Sequence, residues 1–228
     1  MIGCKMGVVG SGGVTIPFAF GNALQFDGVD DYVQFPKITF STSTDFTISQ
    51  WIKFDAVFKI WITNSGSVTN YLFAISSTQI RLQTGTGGLP PDRIVITVPP
   101  MSINTWYNVV VSRISGNITL YLNGTAAGSA VANSNTLALD SLSGYSGFQW
   151  DGLLDEVAIW SGTGATATNA ADLYNSGNGS LASDIIPSPT AYWRMDESGS
   201  DPIAIDSGGN GNNGTLNNFT LPGAWVTH

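Results

Sequence analysis

The feature that most constrains the fold is a succession of short apolar segments separated by clusters of glycine, asparagine, serine and aspartate. The clearest segment is FTISQWIKF, in which the residues that share one face are Phe46, Ile48, Ile52 and Phe54. Alternation of this kind is typical of a β-strand with one face packed on a core. Similar segments recur along the chain at the spacing expected of a β-sandwich.

Helical patterns are scarce. The segment from Ala165 to Tyr174 contains good helix formers and is followed by Gly177, which favours a helix end. We therefore predict an all-β protein with one short helix in this segment.

Composition excludes several classes of function. The 228 residues carry a formal net charge of −8, with only eight scattered lysines and arginines. Without a basic stripe there is nothing to neutralise phosphates, so we predict no nucleic-acid partner. No apolar run is long enough for a membrane span, and the first residues lack the pattern of a signal peptide, so we also predict no membrane association. The lone Cys4 cannot form an intrachain disulfide.

Catalytic side chains are poorly represented. The single histidine is the last residue, His228, which leaves no Ser-His-Asp or Cys-His arrangement inside a folded site. Retaining glycoside hydrolysis needs two carboxyl groups about 5–5.5 Å apart. Asp155 and Glu156 are neighbours on a predicted strand, so they are expected to project to opposite faces. We predict that the chain is not an enzyme and has no catalytic residues.

Five motifs occur in order over residues 21–177: ALQFDGVDDYV, FTISQWIKF, WYNVVVSRISGNITLYLNG, GLLDEVAIW and DLYNSG. Together they resemble the laminin-G-like, concanavalin A-like jelly-roll superfamily. The resemblance implies a two-sheet antiparallel jelly-roll sandwich. The superfamily includes lectins, glucanases, adhesion modules and viral structural parts. Its glucanases carry a Glu-x-Asp-x-x-Glu strand, and neither Glu156 nor Glu197 lies in that pattern.

The C-terminal part, AYWRMDESGSDPIAIDSGGNGNNGTLNNFT, is similar to a segment that precedes the FDGVDDYV motif in many bacterial members. Here it follows the other motifs. We predict that residues 190–220 return to close a sheet edge within a jelly roll spanning residues 21–228. The alternative is that they begin a second, truncated repeat.

The same C-terminal part, placed after a laminin-G-like domain, resembles the end of structural proteins from marine tailed phages. The resemblance implies a non-catalytic virion protein (capsid decoration, fibre or tail-associated) that contacts other virion proteins or copies of itself. Residues 1–20 would be an N-terminal docking arm, with apolar contacts from Val8, Val9, Val14 and Ile16. The alternative is a carbohydrate-binding or adhesion module of a bacterial surface protein, located outside the cell, with a glycan as partner.

The DGVDD segment has two interpretations. Asp27 and Gly28 favour a tight turn in which the Asp27 carboxylate caps nearby amides. Calcium binds six to eight oxygens, and this short stretch is rich in them. The resemblance implies one structural Ca²⁺ with Asp27, the Gly28 carbonyl and Asp155 as ligands. Both interpretations remain open at the level of sequence.

Two tryptophans are candidates for glycan binding, because lectins of this fold contact sugars through exposed aromatic faces. Trp61 and Trp150 lie in VFKIWITNSG and GFQWDG, which look like segments flanked by loops. We interpret each ring first as buried in the core or in an interface, and we take Trp61 and Trp150 as the candidate glycan-binding residues if their indole rings are exposed.

Overall fold

Alternating apolar side chains build two antiparallel sheets that pack face to face, so the predicted all-β sandwich is confirmed. The structure is a computed structural model that describes residues 21–65, 69–85, 92–143 and 147–227. In chain order the elements are β1 (Asn22–Asp27), β2 (Tyr32–Phe40), β3 (Phe46–Phe54), β4 (Lys59–Thr63), β5 (Tyr71–Ser76), β6 (Gln79–Gln83), β7 (Arg93–Thr97), β8 (Trp106–Ile114), β9 (Asn117–Leu122), β10 (Thr125–Ala126), β11 (Val131–Ala132), β12 (Leu137–Ser143), β13 (Asp151–Ser161), α1 (Ala167–Tyr174), α2 (Ala182–Ile185), β14 (Ala191–Trp193), β15 (Ile203–Ala204), β16 (Gly214–Asn217) and β17 (Trp225–Thr227).

The strand order is that of a sandwich that combines consecutive strands, such as β4 to β7, with neighbours from distant parts of the chain, such as β3 and β13. The first sheet runs β10-β9-β8-β3-β13-β1-β17, with β11 added to β9 and β14 added to β13. The second sheet runs β15-β16-β2-β12-β4-β5-β6-β7. This arrangement brings the β1–β2 turn, the β3–β4 connection and the start of β13 to one end of the molecule.

The core lies between the sheets and follows the alternation seen in the sequence. Phe46, Ile48, Ile52 and Phe54 of β3 are all buried in it. The other face of β3 is also covered, because Trp51 stacks on Tyr174 of α1 with ring centroids 5.9 Å apart. β3 is therefore buried on both faces, although its sequence alternates like that of a strand with one face exposed.

The predicted helix is present as α1. Its N-terminus has a capping box, in which the Thr166 hydroxyl accepts from the Asn169 amide and the Asn169 side chain accepts from the Thr166 amide. Ala170 and Leu173 point into a second apolar cluster on the outer face of the first sheet. No helix in the described ranges is long and apolar enough to cross a membrane.

The C-terminal segment contributes strands to both sheets. In the second sheet β16 pairs with β2, and in the first sheet β17 pairs with β1 through Leu24 opposite Trp225. Asp206 organises the loop between β15 and β16, since its carboxylate accepts from the amides of Gly208 and Asn212 at 2.9 Å each. The predicted docking arm, with Val8, Val9, Val14 and Ile16, lies outside the described residues.

Candidate functional site

The DGVDD segment forms the turn between β1 and β2. The Asp27 carboxylate accepts from the amides of Val29 at 2.8 Å and Asp30 at 3.3 Å. Gly28 has a φ of 74°, a conformation that favours glycine. The turn with a capping aspartate is therefore confirmed.

Three carboxylates converge at this turn. One carboxylate oxygen from each of Asp27, Asp30 and Asp31 lies within 4.8 Å of the other two. Asp27 and Asp30 are exposed, whereas Asp31 is buried and accepts from the Asp27 amide at 3.0 Å. Burial, together with the neighbouring charges of Asp27 and Asp30, raises the pKa of Asp31 to about 6. The crowded charges favour either a proton or a bound cation.

The predicted calcium ligands do not come together. Asp27 lies opposite Asp151 in the pairing of β1 with β13, so Asp155 is four residues further along the strand, or about 13 Å away. The Gly28 carbonyl accepts from the Lys59 ammonium at 3.2 Å, which places a cationic group where the ion was expected. Asp27 and Gly28 adjoin at the turn and Asp155 lies apart from them, whereas the carboxylates that lie close together are those of Asp27, Asp30 and Asp31. These three carboxylates, completed by water, fit the oxygen donors that calcium prefers.

Trp61 and Trp150 are buried, as the first interpretation has it, so their assignment as candidate glycan-binding residues is wrong. Trp61 is 1% exposed and Trp150 is 0% exposed, and their rings meet edge to face with centroids 5.6 Å apart. The segment around Trp61 is a strand, β4, and Gln149 forms a β-bridge with Ile60 beside it. Both indoles consequently point into the core between the sheets.

Among the described residues at this end, two phenylalanines close to those tryptophans in sequence have exposed side chains. Phe58 is 55% exposed and Phe148 is 40% exposed. They lie on adjoining backbone, since the Ile60 amide donates to the Phe148 carbonyl at 2.8 Å. Phe58 has a φ of 63°, which is unusual for a bulky residue, and its amide donates to the Ala74 carbonyl at 2.7 Å. The loop-like residues around Trp61 and Trp150 favoured these two tryptophans, whereas their burial follows from strand β4 and from the β-bridge at Gln149.

A cavity of about 310 Å³ opens beside the turn. Its lining consists of Gln25, Asp27, Asp31, Thr220, Gly223 and Ala224. The wall is held in place where the Gln25 amide donates to the Ala224 carbonyl at 2.8 Å. The volume lies at the lower end of the range for small-ligand sites, and its polar groups are carboxylates, an amide and a hydroxyl.

A second acidic pair lies deeper, at a bulge in β13. The register with β3 shifts between Asp155 and Ala158, and Glu156 has a φ of 49°. Tyr192 donates to the Glu156 carboxylate, and the Arg194 guanidinium lies 3.5 Å from its other oxygen. Arg194 also pairs with Asp196 at 2.7 Å.

Both acids of this pair are buried, Asp155 being 1% and Glu156 3% exposed. Burial raises the pKa of Glu156 to about 8 and raises that of Asp155 as well. The bulge interrupts the regular alternation of β13 at this point, so strand periodicity alone does not decide the face of each carboxyl. Glu156 contacts the C-terminal segment through Tyr192 and Arg194, and the Asp155 carboxylate accepts from the Glu156 amide at 2.8 Å.

Solved structures share this architecture. A Bacteroides ovatus protein proposed to bind carbohydrate superposes with a TM-score of 0.65 at 18% identity, covering 90% of this chain and 60% of that chain. The chain therefore spans 60% of the length of that protein. A heptameric pentraxin from Limulus polyphemus gives a TM-score of 0.44 at 18% identity, covering 68% of this chain and 86% of that chain. Domain 4 of an arabinanase from Geobacillus stearothermophilus, in complex with arabinotriose, gives 0.45 at 15% identity, covering 66% of this chain and 75% of that chain.

At 18% identity the similarity to the Bacteroides ovatus protein establishes the fold alone. It does not support the virion interpretation, which stays a prediction. A search of curated protein sequences finds no match.

Membership of a family rests on a match of the sequence itself. The family model of the concanavalin A-like lectin/glucanases superfamily matches residues 27–168, more than half of the chain. The match begins at the DGVDD turn and extends into α1, so it includes β2 to β13. The chain belongs to the concanavalin A-like lectin/glucanases superfamily.

Proposed function

We propose that the chain is a carbohydrate-binding module of an extracellular or cell-surface protein, with no catalytic role. The observation that carries the proposal is the meeting of exposed aromatic rings and clustered carboxylates at one end of the sandwich. We call this surface the rim and define it by Asp27, Asp30, Asp31, Phe58 and Phe148.

The rim is continuous because the start of β4 joins its two halves. The Lys59 ammonium donates to the Gly28 carbonyl at 3.2 Å, which fixes the turn beside β4. On the other side, the Ile60 amide donates to the Phe148 carbonyl at 2.8 Å. Rings and carboxylates are thus attached to strand ends, and these hold their positions better than long loops do.

This combination suits a sugar ring, which has an apolar face of C–H groups and an edge of hydroxyls. Aromatic rings pack against the apolar face, and charged oxygens make strong hydrogen bonds with hydroxyl donors. The cavity of about 310 Å³ beside Asp27 and Asp31 adds a recess for one ring. The left-handed backbone of the exposed Phe58 supports a binding role, because such strain is often kept at functional positions.

A Ca²⁺ ion at the turn is part of the proposal. Asp27, Asp30 and Asp31 would hold it, and the ion would neutralise their mutual repulsion. The shared fold of the Bacteroides ovatus protein agrees with a binding module. The buried pair Asp155 and Glu156 is engaged within the fold, and no catalytic role is assigned to it.

Retention on immobilised glycans tests the proposal. The wild type, the double variant Phe58→Ala/Phe148→Ala and the control Val95→Ala are applied to a glycan array and to insoluble polysaccharides. Val95 is an exposed apolar residue on β7, away from the rim. We expect the double variant to lose at least about tenfold in affinity, in line with one to two aromatic contacts, and the control to bind like wild type.

Two results would count against the proposal. A folded wild type that retains no glycan on either support would contradict the binding function itself. A double variant that binds as well as wild type would contradict the assignment of the site to the rim.

A further inference from the structure

The opposite end of the sandwich contains a larger cavity, of about 390 Å³. We call it the amide pocket, and its lining consists of Ser43, Ser115, Gly116, Asn117, Ala132, Asn133, Ser134 and Asn135. These residues come from the β2–β3 connection, the tight turn of the β8–β9 hairpin and the segment around β11.

The amide pocket is well separated from the rim. The rim lies where β3 ends at Phe54, and the amide pocket lies where β3 begins at Phe46 and β8 ends at Ile114. A strand of nine residues spans about 30 Å. A single mono- or disaccharide unit therefore cannot contact both places.

The lining of the amide pocket is polar but uncharged. The aspartates that approach it already accept hydrogen bonds: Asp45 from the Ser115 amide at 2.8 Å and Asp92 from the Asn135 side chain at 2.7 Å. A charged ligand would lose hydration without meeting an opposite charge, which is costly.

The Asn133 side chain donates to Thr84 at 3.0 Å and the Asn135 side chain donates to Asp92, so both are engaged in the walls. The serine hydroxyls and the Asn117 side chain match a neutral ligand rich in hydroxyls, since each of these groups both donates and accepts.

The walls of the pocket are held in place by a buried arginine. The Arg113 side chain is fully buried, and its guanidinium donates to the carbonyls of Ser41, Thr44 and Asn135. Further bonds join the walls directly, from the Ser43 amide to the Ser134 carbonyl at 3.0 Å and from the Asn133 amide to the Gly116 carbonyl at 2.8 Å. A pocket whose walls are already fixed loses little conformational entropy when a ligand binds.

The space above the hairpin turn is open. A methyl group on Gly116 would meet only the Ser134 Cβ, at 3.8 Å. Ser43, Asn117 and Ser134 are exposed around it. A ligand can therefore reach Gly116, at the floor of the amide pocket, from solvent, and the polar side chains of the three exposed residues surround its path.

We propose that the amide pocket is a second saccharide site, for one or two units of a neutral sugar chain. The inference goes beyond the proposed function, because the pocket chemistry is independent of the rim. With two sites about 30 Å apart, one module bridges two polysaccharide chains or two positions on one chain. Such double engagement raises avidity without any new contact.

Titration of the ¹⁵N-labelled protein, followed by amide chemical shifts, tests the inference. The probes are neutral maltotriose, cellotriose and arabinotriose, with trigalacturonate as a charged comparison. We expect at least one neutral probe to shift the amides of Ser43, Asn117 and Asn135, and trigalacturonate to bind there at least about tenfold more weakly. Ser134→Tyr, which fills the pocket, should abolish these shifts, and Ser200→Tyr, at an exposed serine outside both cavities, should leave them intact.

The outcomes separate this inference from the proposed function. Pocket shifts that persist in Phe58→Ala/Phe148→Ala support a second, independent site. Shifts confined to the rim overturn the second site and leave the proposed function standing. Pocket shifts that survive Ser134→Tyr, or no pocket shifts with any neutral probe, also overturn the second site. If Ser134→Tyr does not fold, Asn117→Ala replaces it, with an expected severalfold loss of affinity.

Discussion

The two acidic clusters of this chain occupy opposite environments. At the β1–β2 turn, Asp27 and Asp30 are exposed and lie beside the buried Asp31. At the β13 bulge, Asp155 and Glu156 are both buried beneath the C-terminal segment. The first cluster is open to solvent, whereas the second is closed, and burial raises the pKa of both its carboxyls.

The difference comes from what covers each cluster. The turn carboxylates accept mainly from amides of their own segment, such as Val29 and Asp30. Glu156 instead contacts Tyr192 and Arg194, which lie 36 and 38 residues away in sequence. Acidic residues that are neighbours in sequence therefore indicate a ligand site only when the structure shows that they are exposed to solvent.

The pH dependence of stability should show the largest effect of the buried cluster. The folded protein holds a proton on Glu156 up to about pH 8, while an unfolded chain releases it near the ordinary value of 4.5. The free energy of unfolding should therefore fall as pH rises between these values, by up to about 1.4 kcal/mol per pH unit for one proton. The raised pKa values of Asp155 and Glu197 act in the same direction.

Urea unfolding at a series of pH values measures this slope. Glu156→Gln keeps an acceptor for Tyr192 and removes the titrating group, so we expect a flatter profile. A free energy of unfolding that rises with pH from 5 to 8 would contradict a raised pKa of Glu156 in the folded protein. An unchanged slope in Glu156→Gln would contradict it as well.

Truncation of the buried acid should have the next largest effect. Glu156→Ala removes the acceptor of the Tyr192 hydroxyl and one partner of Arg194, and leaves a cavity. We expect a loss of about 3 kcal/mol in the free energy of unfolding. Asp30→Ala, at the exposed cluster, should change it by less than about 0.5 kcal/mol when calcium is chelated. Equal losses of unfolding free energy in Glu156→Ala and Asp30→Ala would contradict the view that only the buried cluster stabilises the fold.

Calcium should act on the exposed cluster alone, with the smallest effect. Assuming an affinity of about 1 mM, as in weak extracellular sites, 10 mM Ca²⁺ stabilises the fold by about 1.4 kcal/mol. Asp27→Asn should reduce this gain, and Asp172→Asn, at an exposed residue of α1, should not. A melting temperature that responds neither to Ca²⁺ nor to a chelator would exclude an ion at the turn.

Much of the fold could be predicted because its signals are local. The alternation in β3 marks the face that reaches the core, and the residues of α1 carry the helix pattern and its cap. Even the Asp27–Gly28 turn follows from residues that contact one another within a few positions.

The candidate site was predictable only in part. The position of Asp155 relative to Asp27 depends on the register between β1 and β13, and the two strands are more than a hundred residues apart. The burial of Trp61 and Trp150 depends on how the two sheets pack. The exposure of Phe58 and Phe148 likewise depends on the assembled sheets, so the sequence alone did not indicate these two rings as candidates for ligand binding.

The sequence by itself determined which segments form strands, where α1 begins and how the DGVDD turn closes, because each depends on contacts between near neighbours. Only the tertiary structure decided which acidic side chains are exposed and which are buried, and which aromatic rings reach solvent. It also decided that an uncharged pocket lies at the β8–β9 hairpin turn, at the end of the sandwich opposite the rim. These properties arise from strand register, from the bulge in β13 and from coverage by the C-terminal segment, and residues distant in sequence set all three.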